Sequence, residues 1–506
     1  MTERLDIVID ECLETSPENK CFWWEGKWYN QFFLKHLVDR SEETLREAGF
    51  SEGQRLAVLM PNSPMIAALS LAVWRLGGIV CPLNSKSGLP SLAATLSLLE
   101  PFAIVLSDET RDETRKEMGT LLDEQGWLHI SCPLAGPLPE FQGRAATSPA
   151  LDEEREIAVI FSTSGTTGAP KAVPVSHLSL LNNCRESIRT LEDLREGDVL
   201  LNVLPSFHAF GYMAGTILPL ILKGSQVIVP NFLPLPNTLR AIKEAPANVI
   251  LLVPMMLNLL LGLVEKGAPR PEGIKLLIIG GDRYNIQMED RVEKLLGIGV
   301  LEGYGLTECS PVVSFNRSYA RRRLGTVGEF LGGYQWRLLD EGGKLVSDTA
   351  GEGVLWLKGP SVTKKYFRGT ESDKERFDDG WFNTGDYVRV EDGYIRILDR
   401  VTDIIIVNGF NVYPQEVEAV LSQHPAVAQV VVIGIPASSG EIPKACIVKK
   451  PNVEVTESEI HRYCKERLAH YKVPRKVEFL ETLPMSRMGK VLRRVLRERE
   501  QVKNVE

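Results

Sequence analysis

A chain of 506 residues is too long for a single hydrophobic core and long enough for two or more domains. With 44% hydrophobic and 25% charged residues it has the composition of an ordinary globular protein, and a formal net charge of -8 excludes a general nucleic-acid binder, whose surface must be basic to neutralise phosphates. Charge is uneven: from Val401 onward 16 Lys and Arg face 13 Asp and Glu, so this part carries +3 and suits a phosphorylated cofactor or an acidic carrier protein as well as a solvated helix face.

The start, MTERLDIVIDECLE, reads as an acidic amphipathic helix and not as an export signal. Up to about Pro149, helices alternate with short apolar strands: a helix ending over Glu43 to Ala48, a strand from Arg55 to Met60, a helix from Ser63 to Leu76, then strands Gly77 to Asn84 and Phe102 to Asp108. The alternation resumes in strands Val199 to Pro205, Ser225 to Pro230, Asn248 to Pro254, Lys275 to Gly281 and Gly299 to Gly305. This predicts an α/β fold: two similar layered halves, each a mostly parallel sheet covered by helices. The longest apolar run, Val249 to Val264, is interrupted by Pro254 and Asn258 and falls short of the roughly 20 residues a membrane span needs. No transmembrane anchor is expected, and peripheral contact with a membrane stays open.

Past Ser318 the strands shorten, and the hairpin signals DEGG and EDG predict a small β-rich subdomain. A compact α+β segment follows Arg400, with helices over Pro414 to Ser422 and Glu457 to Ala469 and a basic helix from Val491. The boundary is placed at Arg400 to Thr402, giving domains 1–400 and 401–506. Eight scattered cysteines without a CxxC pair read as reduced thiols, which places the protein in the cytoplasm.

Four stretches carry chemistry. Phe161 to His177 reads FSTSGTTGAPKAVPVSH, an apolar strand running into Thr163, Ser164, Gly165, Thr166, Thr167, Gly168 and then Lys171. Glycines let backbone N–H groups approach an anion, and hydroxyls and a lysine add donors and charge, so the loop suits a polyphosphate. It is not a Walker loop, and alone it is equally a polar surface turn. In EGYGLTECSPV, Tyr304 can stack on a purine, while Thr307 and Glu308 offer a hydroxyl and a carboxylate for a phosphate and its Mg²⁺. In the run from Trp381 to Glu418, Asp386 can take both ribose hydroxyls and Arg400 can pair with them from the other side. In PMSRMGKVLRR, Lys490 beside a glycine can neutralise charge on a phosphate under attack.

In this order and composition the four stretches resemble the signatures of the acyl-adenylate-forming enzyme superfamily, the AMP-dependent synthetases and ligases, and the resemblance covers about Arg55 to Arg494. It implies a large N-terminal domain and a small mobile C-terminal one. It also implies two half reactions: a carboxylate attacks the α-phosphate of ATP to give acyl-AMP and pyrophosphate, and a thiol then displaces AMP. By resemblance, Tyr304 and Gly305 pack on adenine, Thr307 contacts the α-phosphate, Glu308 holds Mg²⁺, Gly281 joins the nucleotide set, and Lys490 serves the adenylation step. Gly409 and Phe410 would line the path of a pantetheine thiol, whether of CoA or of an acyl carrier protein. Two departures are noted: Met488 stands where a small residue is common, and Thr402 stands at the hinge position, where Asp or Lys is common.

LPSFHAFGY, Leu204 to Tyr212, is similar to the superfamily's substrate-side motif, and His208 would border the acyl pocket. A histidine between Phe207 and Phe210 is otherwise a packed core residue. No aspartate lies between Leu204 and Pro219 to hold an α-ammonium, which disfavours amino acids. The apolar runs FGYMAGTILPLIL and VILLVPMMLNLLLGLV suit an alkyl chain, and TECSPVVSFN looks most like fatty-acid-activating relatives. A medium- or long-chain fatty acid is therefore expected, with an aryl acid second and a non-catalytic nucleotide-binding relative as the rival of a different class.

Overall fold

Short runs of Val, Ile and Leu with no polar alternation are what strands covered on both faces require, and they form the frame of the first half of the chain. The computed structural model describes residues 3–84, 87–109, 112–141, 156–164, 170–340, 342–407, 410–437, 440–485 and 491–503. The chain divides into two compact units, Met1–Gln335 with Leu357–Phe382, and Trp336–Trp356 with Asn383–Glu506.

The first unit holds two sheets. One has the order His129–Cys132, Ala103–Ser107, Arg55–Leu59, Ile79–Pro82, Ile157–Ser164, Pro170–Ser176, parallel except for the last hairpin. The other runs Glu329–Phe330, Val312–Phe315, Leu301–Gly305, Leu276–Ile279, Val249–Leu252, Val199–Asn202, Ser225–Ile228, Lys20–Trp24, Lys27–Asn30. Its central strands are parallel, with Val249 beside Leu276 and Leu200, and every residue of Val249–Leu252 and Leu276–Ile279 is buried. The two layered halves expected from the alternation are thus present.

Helix Pro64–Arg75 is buried on every side from Pro64 to Trp74, so it belongs to the shared core and not to the surface. Its Trp74 indole donates to the carbonyl of Ala158 at 2.8 Å, and its Ser70 hydroxyl accepts from Tyr212 at 2.6 Å. Helix Gln31–Glu47 is amphipathic, burying Leu34, Leu37, Val38, Ser41 and Leu45, and starts at Asn30, whose side chain accepts from the Phe33 N–H. The apolar run from Val249 resolves into strand Val249–Leu252 and helix Pro254–Glu265, with Pro254 at the first helical turn. No described helix is long and apolar enough to cross a membrane.

In the second unit, Leu345–Ser347, Gln335–Leu339, Gly351–Lys358, Trp381–Glu391 and Tyr394–Arg400 lie side by side in that order. The EDG signal is realised as a two-residue turn with Asp392 at φ 50° and Gly393 at φ 81°, joining Glu391 to Tyr394. A second sheet pairs Phe410–Val412, Ile405–Val407, Gly440–Lys449 and Val427–Ala437, with Lys476–Phe479 parallel to Gly440–Lys449. Helix Pro414–Leu421 packs Val417 and Leu421 into its core. Helix Glu457–Lys465 opens on a reciprocal cap between Thr456 and Glu459 and ends short of the expected Ala469, giving way to a turn at His470–Lys472. The basic helix spans Arg493–Lys503.

Candidate functional site

Strand Ile157–Ser164 turns back as Pro170–Ser176, so that Thr163 faces Lys171 and Ser164 faces Pro170. Gly165, Thr166, Thr167 and Gly168, expected to cradle phosphate, lie outside the described residues. At the far end, His177 is buried against Trp74 and accepts from the Leu5 N–H, and burial together with the Arg4 charge pushes its pKa down to about 3, so it stays neutral.

The Lys171 ammonium lies 2.5 Å from Asp373 Oδ1 and 4.7 Å above the Tyr366 ring. Asp373 also accepts from the Thr370 N–H at 2.7 Å and its hydroxyl at 3.1 Å. Burial pulls the Asp373 carboxyl up, but the hydrogen bonds from Lys171 and Thr370 outweigh it and leave the group below its ordinary range.

Glu308 sits in the tight turn Thr307–Cys309 between strands Leu301–Gly305 and Val312–Phe315, with Tyr304 paired to Ser314. A Cβ on Gly305 would come 2.4 Å from the Pro311 carbonyl, so only glycine lets the strands close there. Buried Asn183 fastens the turn by donating to the carbonyls of Cys309 and Val312 and accepting from the Val312 N–H, and Tyr334 donates to the same two carbonyls. The Glu308 carboxylate accepts from the Tyr366 hydroxyl at 2.8 Å and forms no ion pair with a Lys or Arg among the described residues. Burial, reinforced by the Glu308 charge, drives the Tyr366 pKa far up, which keeps the hydroxyl protonated as a donor. An oriented carboxylate without a cationic partner fits Mg²⁺, which takes one or two protein carboxylates and completes its shell with water and phosphate. No described cluster of three or more His, Cys, Asp or Glu would hold a metal by itself.

In the stretch expected to border the acyl pocket, Asn62 accepts from both the N–H and the hydroxyl of Ser206 and donates to the Leu204 carbonyl, fixing the loop that carries His208. The His208 ring is half-buried, 4.6 Å from that of Phe207. Strand Leu276–Ile279 ends at Gly280 and Gly281, the latter at φ 81°; a Cβ on Gly280 would lie 3.5 Å from the Phe210 ring. Behind Phe210 is an apolar cavity bordered by Met213, Leu218, Leu251, Ile278 and Val312. At about 10 Å³ it admits roughly one water-sized sphere, so an alkyl chain could enter only if side chains move.

In the second unit Asp386 and Arg400 pair across the hairpin, with Arg400 Nε 3.3 Å from Asp386 Oδ1. Asp386 is buried, and close to it in the same hairpin Asp399 is a fully buried carboxyl that burial pushes up to about 6. Gly409 lies outside the described residues; the Phe410 backbone pairs with Val407. Lys490 also lies outside them, but its flanks are tied: Met485 bridges Val491, and the Leu492 N–H donates to the Pro484 carbonyl at 2.8 Å. Just beyond, half-buried Arg493 makes two hydrogen bonds to Glu418, at 2.7 and 2.8 Å.

The structure therefore brings Lys171 and Glu308 into one network through two residues that the sequence reading did not single out, Tyr366 and Asp373. Asn183 and Tyr334 were missed for the same reason: each acts on a turn more than a hundred residues away or across a strand pair, and no local spacing announces it.

The AMP-binding enzyme family model matches residues 9–367, and that of the AMP-binding enzyme C-terminal domain matches residues 416–490. A long-chain-fatty-acid–CoA ligase of Bacillus subtilis is 32% identical over 492 residues, covering 89% of this chain and 86% of that one. ATP-bound MatB from Rhodopseudomonas palustris superposes with a TM-score of 0.87 at 28% identity, over 99% of each chain. The o-succinylbenzoate coenzyme A synthetase of Bacillus subtilis, solved with ATP and a magnesium ion, gives 0.82 at 27% identity, over 96% of this chain and 98% of that one.

Proposed function

The chain belongs to the AMP-binding enzymes, and from that premise we propose that it is an acid–CoA ligase acting on a medium- or long-chain fatty acid. The observation that carries the nucleotide half is the Glu308 carboxylate, oriented by Tyr366 and without a cationic partner among the described residues, on a unit that also carries the Ser/Thr/Gly hairpin. Mg²⁺, when bound, offsets the charge of the ATP phosphates. Glu308 would hold it, Thr307 would meet the α-phosphate, and Tyr304 with Gly305 and Gly281 would receive adenine. Thr163 and Ser164, with the loop after them, would receive the outer phosphates. Asp386 and Arg400 would take the ribose hydroxyls, and Lys490 would neutralise the α-phosphate as the carboxylate oxygen attacks and pyrophosphate leaves.

In the second half reaction the thiol attacks the acyl carbonyl and AMP leaves, with Gly409 and Phe410 along the thiol's path. We assign the first half reaction to 1–400 and the mobile part to 401–506, with Thr402 as the hinge. CoA is the acceptor favoured by the long-chain relative; an acyl carrier protein is the alternative. For the acid, the apolar surroundings of the cavity behind Phe210 favour an alkyl chain, at about 0.8 kcal/mol per buried methylene. The o-succinylbenzoate relative favours an aryl acid as the second reading.

The test is pyrophosphate release with ATP and Mg²⁺ across fatty acids of graded length, aryl acids and amino acids, with CoA, a phosphopantetheinylated carrier protein, or no acceptor. Turnover that peaks with medium or long alkyl acids and yields acyl-CoA by mass supports the proposal. A peak among aryl acids moves the assignment to the second reading, thioester on the carrier protein alone changes the acceptor, and silence with every acid supports a non-catalytic nucleotide binder.

A further inference from the structure

We propose that Tyr366 is the residue that positions the Glu308 carboxylate, and that Lys171, held by Asp373, acts through the Tyr366 ring and not on a nucleotide phosphate. The inference rests on the reading of Glu308 as the carboxylate that meets Mg²⁺. Four side chains from three distant stretches converge: Lys171 on the strand after the Gly-rich loop, Glu308 in its turn, and Tyr366 and Asp373 on the segment between them.

That segment is strapped down at several points. The Thr363 N–H donates to the Glu308 carbonyl at 2.8 Å, the Thr363 hydroxyl to the Pro174 carbonyl at 2.7 Å, and the Phe367 N–H to the Ala172 carbonyl at 2.8 Å. The backbone bonds therefore tie the strap to both the strand of Lys171 and the turn of Glu308. Between those anchors the Tyr366 side chain is buried, covered by the Lys171 ammonium on its face, with Phe377 at its edge 5.3 Å away. Only its hydroxyl has a direction to choose, and it points at Glu308.

A glutamate on a short turn can swing through several rotamers, and Mg²⁺ tolerates little deviation from octahedral geometry. Fixing one carboxylate oxygen by an N- or O-bound donor leaves the other aimed at a ligand, which is how a neighbour that never touches the metal tunes it. Lys171 is differently placed from a phosphate-binding lysine. Its charge is matched at 2.5 Å by Asp373, and Asp373 is in turn fixed by two hydrogen bonds from Thr370. For Lys171 to reach a phosphate it would have to leave both the ion pair and the ring, and Asp373 would be left as a buried carboxylate without its cation.

The two roles for Lys171 predict opposite signs. If it binds phosphate, Asp373 competes with the nucleotide, and Asp373→Asn frees the ammonium and tightens ATP binding. If it braces Tyr366, Asp373→Asn loosens the brace and weakens the metal.

The experiment measures Mn²⁺ binding by the electron paramagnetic resonance of the free ion, on the full chain with α,β-methylene-ATP, and separately the binding of that analogue without metal. Tyr366→Phe and Asp373→Asn are nearly isosteric, and their melting temperatures report whether the fold is kept. Tyr366→Phe is expected to weaken Mn²⁺ roughly tenfold, the scale of one lost hydrogen bond to a charged group, with metal-free nucleotide affinity unchanged. Asp373→Asn is expected to weaken Mn²⁺ in the same direction. Unchanged Mn²⁺ affinity in Tyr366→Phe, or tighter nucleotide binding in Asp373→Asn, overturns the inference. Glu308→Gln separates the premise from it: if that variant keeps wild-type Mn²⁺ affinity, Glu308 does not meet the metal and the reading beneath the inference is wrong.

Discussion

Two ionisable residues of the second unit put charge to different uses. We assign Lys490 to the adenylation half reaction, where the carboxylate attacks the α-phosphate and its crowded negative charge must be offset. Lys490→Ala should lower acid-dependent ATP–pyrophosphate exchange by about 10²–10³-fold while acyl-AMP supplied from outside is still converted to thioester within a few fold. Equal losses in both assays would remove the assignment. Asp399 is a different case: fully buried, it accepts from the N–H groups of Arg400 and Gln415, yet burial dominates and its pKa rises from an ordinary 3.8 to about 6. A raised folded pKa means that the folded state holds the proton more tightly, so the contribution is fully present below about pH 4 and is lost as pH rises through about 6. Denaturation of wild type and Asp399→Asn at intervals from pH 4 to 7 should show the wild type losing up to ~3 kcal/mol relative to the variant. A relative gain with rising pH would mean that the Arg493 charge and the two N–H donors prevail over burial.

At the scale of elements, the segment from Ala209 to Ile221 sits where it does because its glycines have no side chain. A Cβ on Gly211 would lie 2.3 Å from the Pro205 carbonyl, and one on Gly215 would lie 2.4 Å from Asn202 Oδ1. The helix widens to a π-turn over Tyr212–Ile217, and Tyr212 reaches Ser70 on the buried helix Pro64–Arg75. Ser70→Ala leaves that buried hydroxyl without its partner and should cost about 1–3 kcal/mol, whereas adding Tyr212→Phe should recover much of the loss. Calorimetry on the two single variants and the double closes the cycle; additive losses would show that the pair is not coupled.

The same elements show what could be read in advance. Strands with unbroken Val, Ile and Leu and the Asp392–Gly393 hairpin were legible because their signals are local. The amino-terminal hairpin Lys20–Trp24 and Lys27–Asn30 went unread although Glu25 and Gly26 turn it with φ 49° and 88°: its aromatic strand gives no alternation, and it is held by a parallel neighbour, Ser225–Ile228, two hundred residues on. Thr307, Glu308, Asp386 and Arg400 are candidates that motif alone singles out, whereas Tyr366, Asp373 and Asn183 are singled out by a contact and not a pattern.

For the whole molecule, the eight cysteines are free thiols, seven buried and only Cys12 partly exposed. Burial pushes the Cys21 and Cys132 thiols up to about 12, far from the thiolate that reacts. A thiol reagent should therefore modify at most one cysteine in the native protein and all eight in denaturant; rapid modification of several would mean that the core opens readily. The division into units has one more consequence. The chain leaves the first unit after Gln335, builds Trp336–Trp356 in the second, and only then returns with Leu357–Phe382. During synthesis, a nascent chain that has emerged through Gln335 already carries Glu308 and Lys171 but none of the strap that joins them. The order of translation thus delivers the Glu308 carboxylate early and its fixation late, and a gene truncated at that first crossing would encode most of the sheets and leave the carboxylate unbraced.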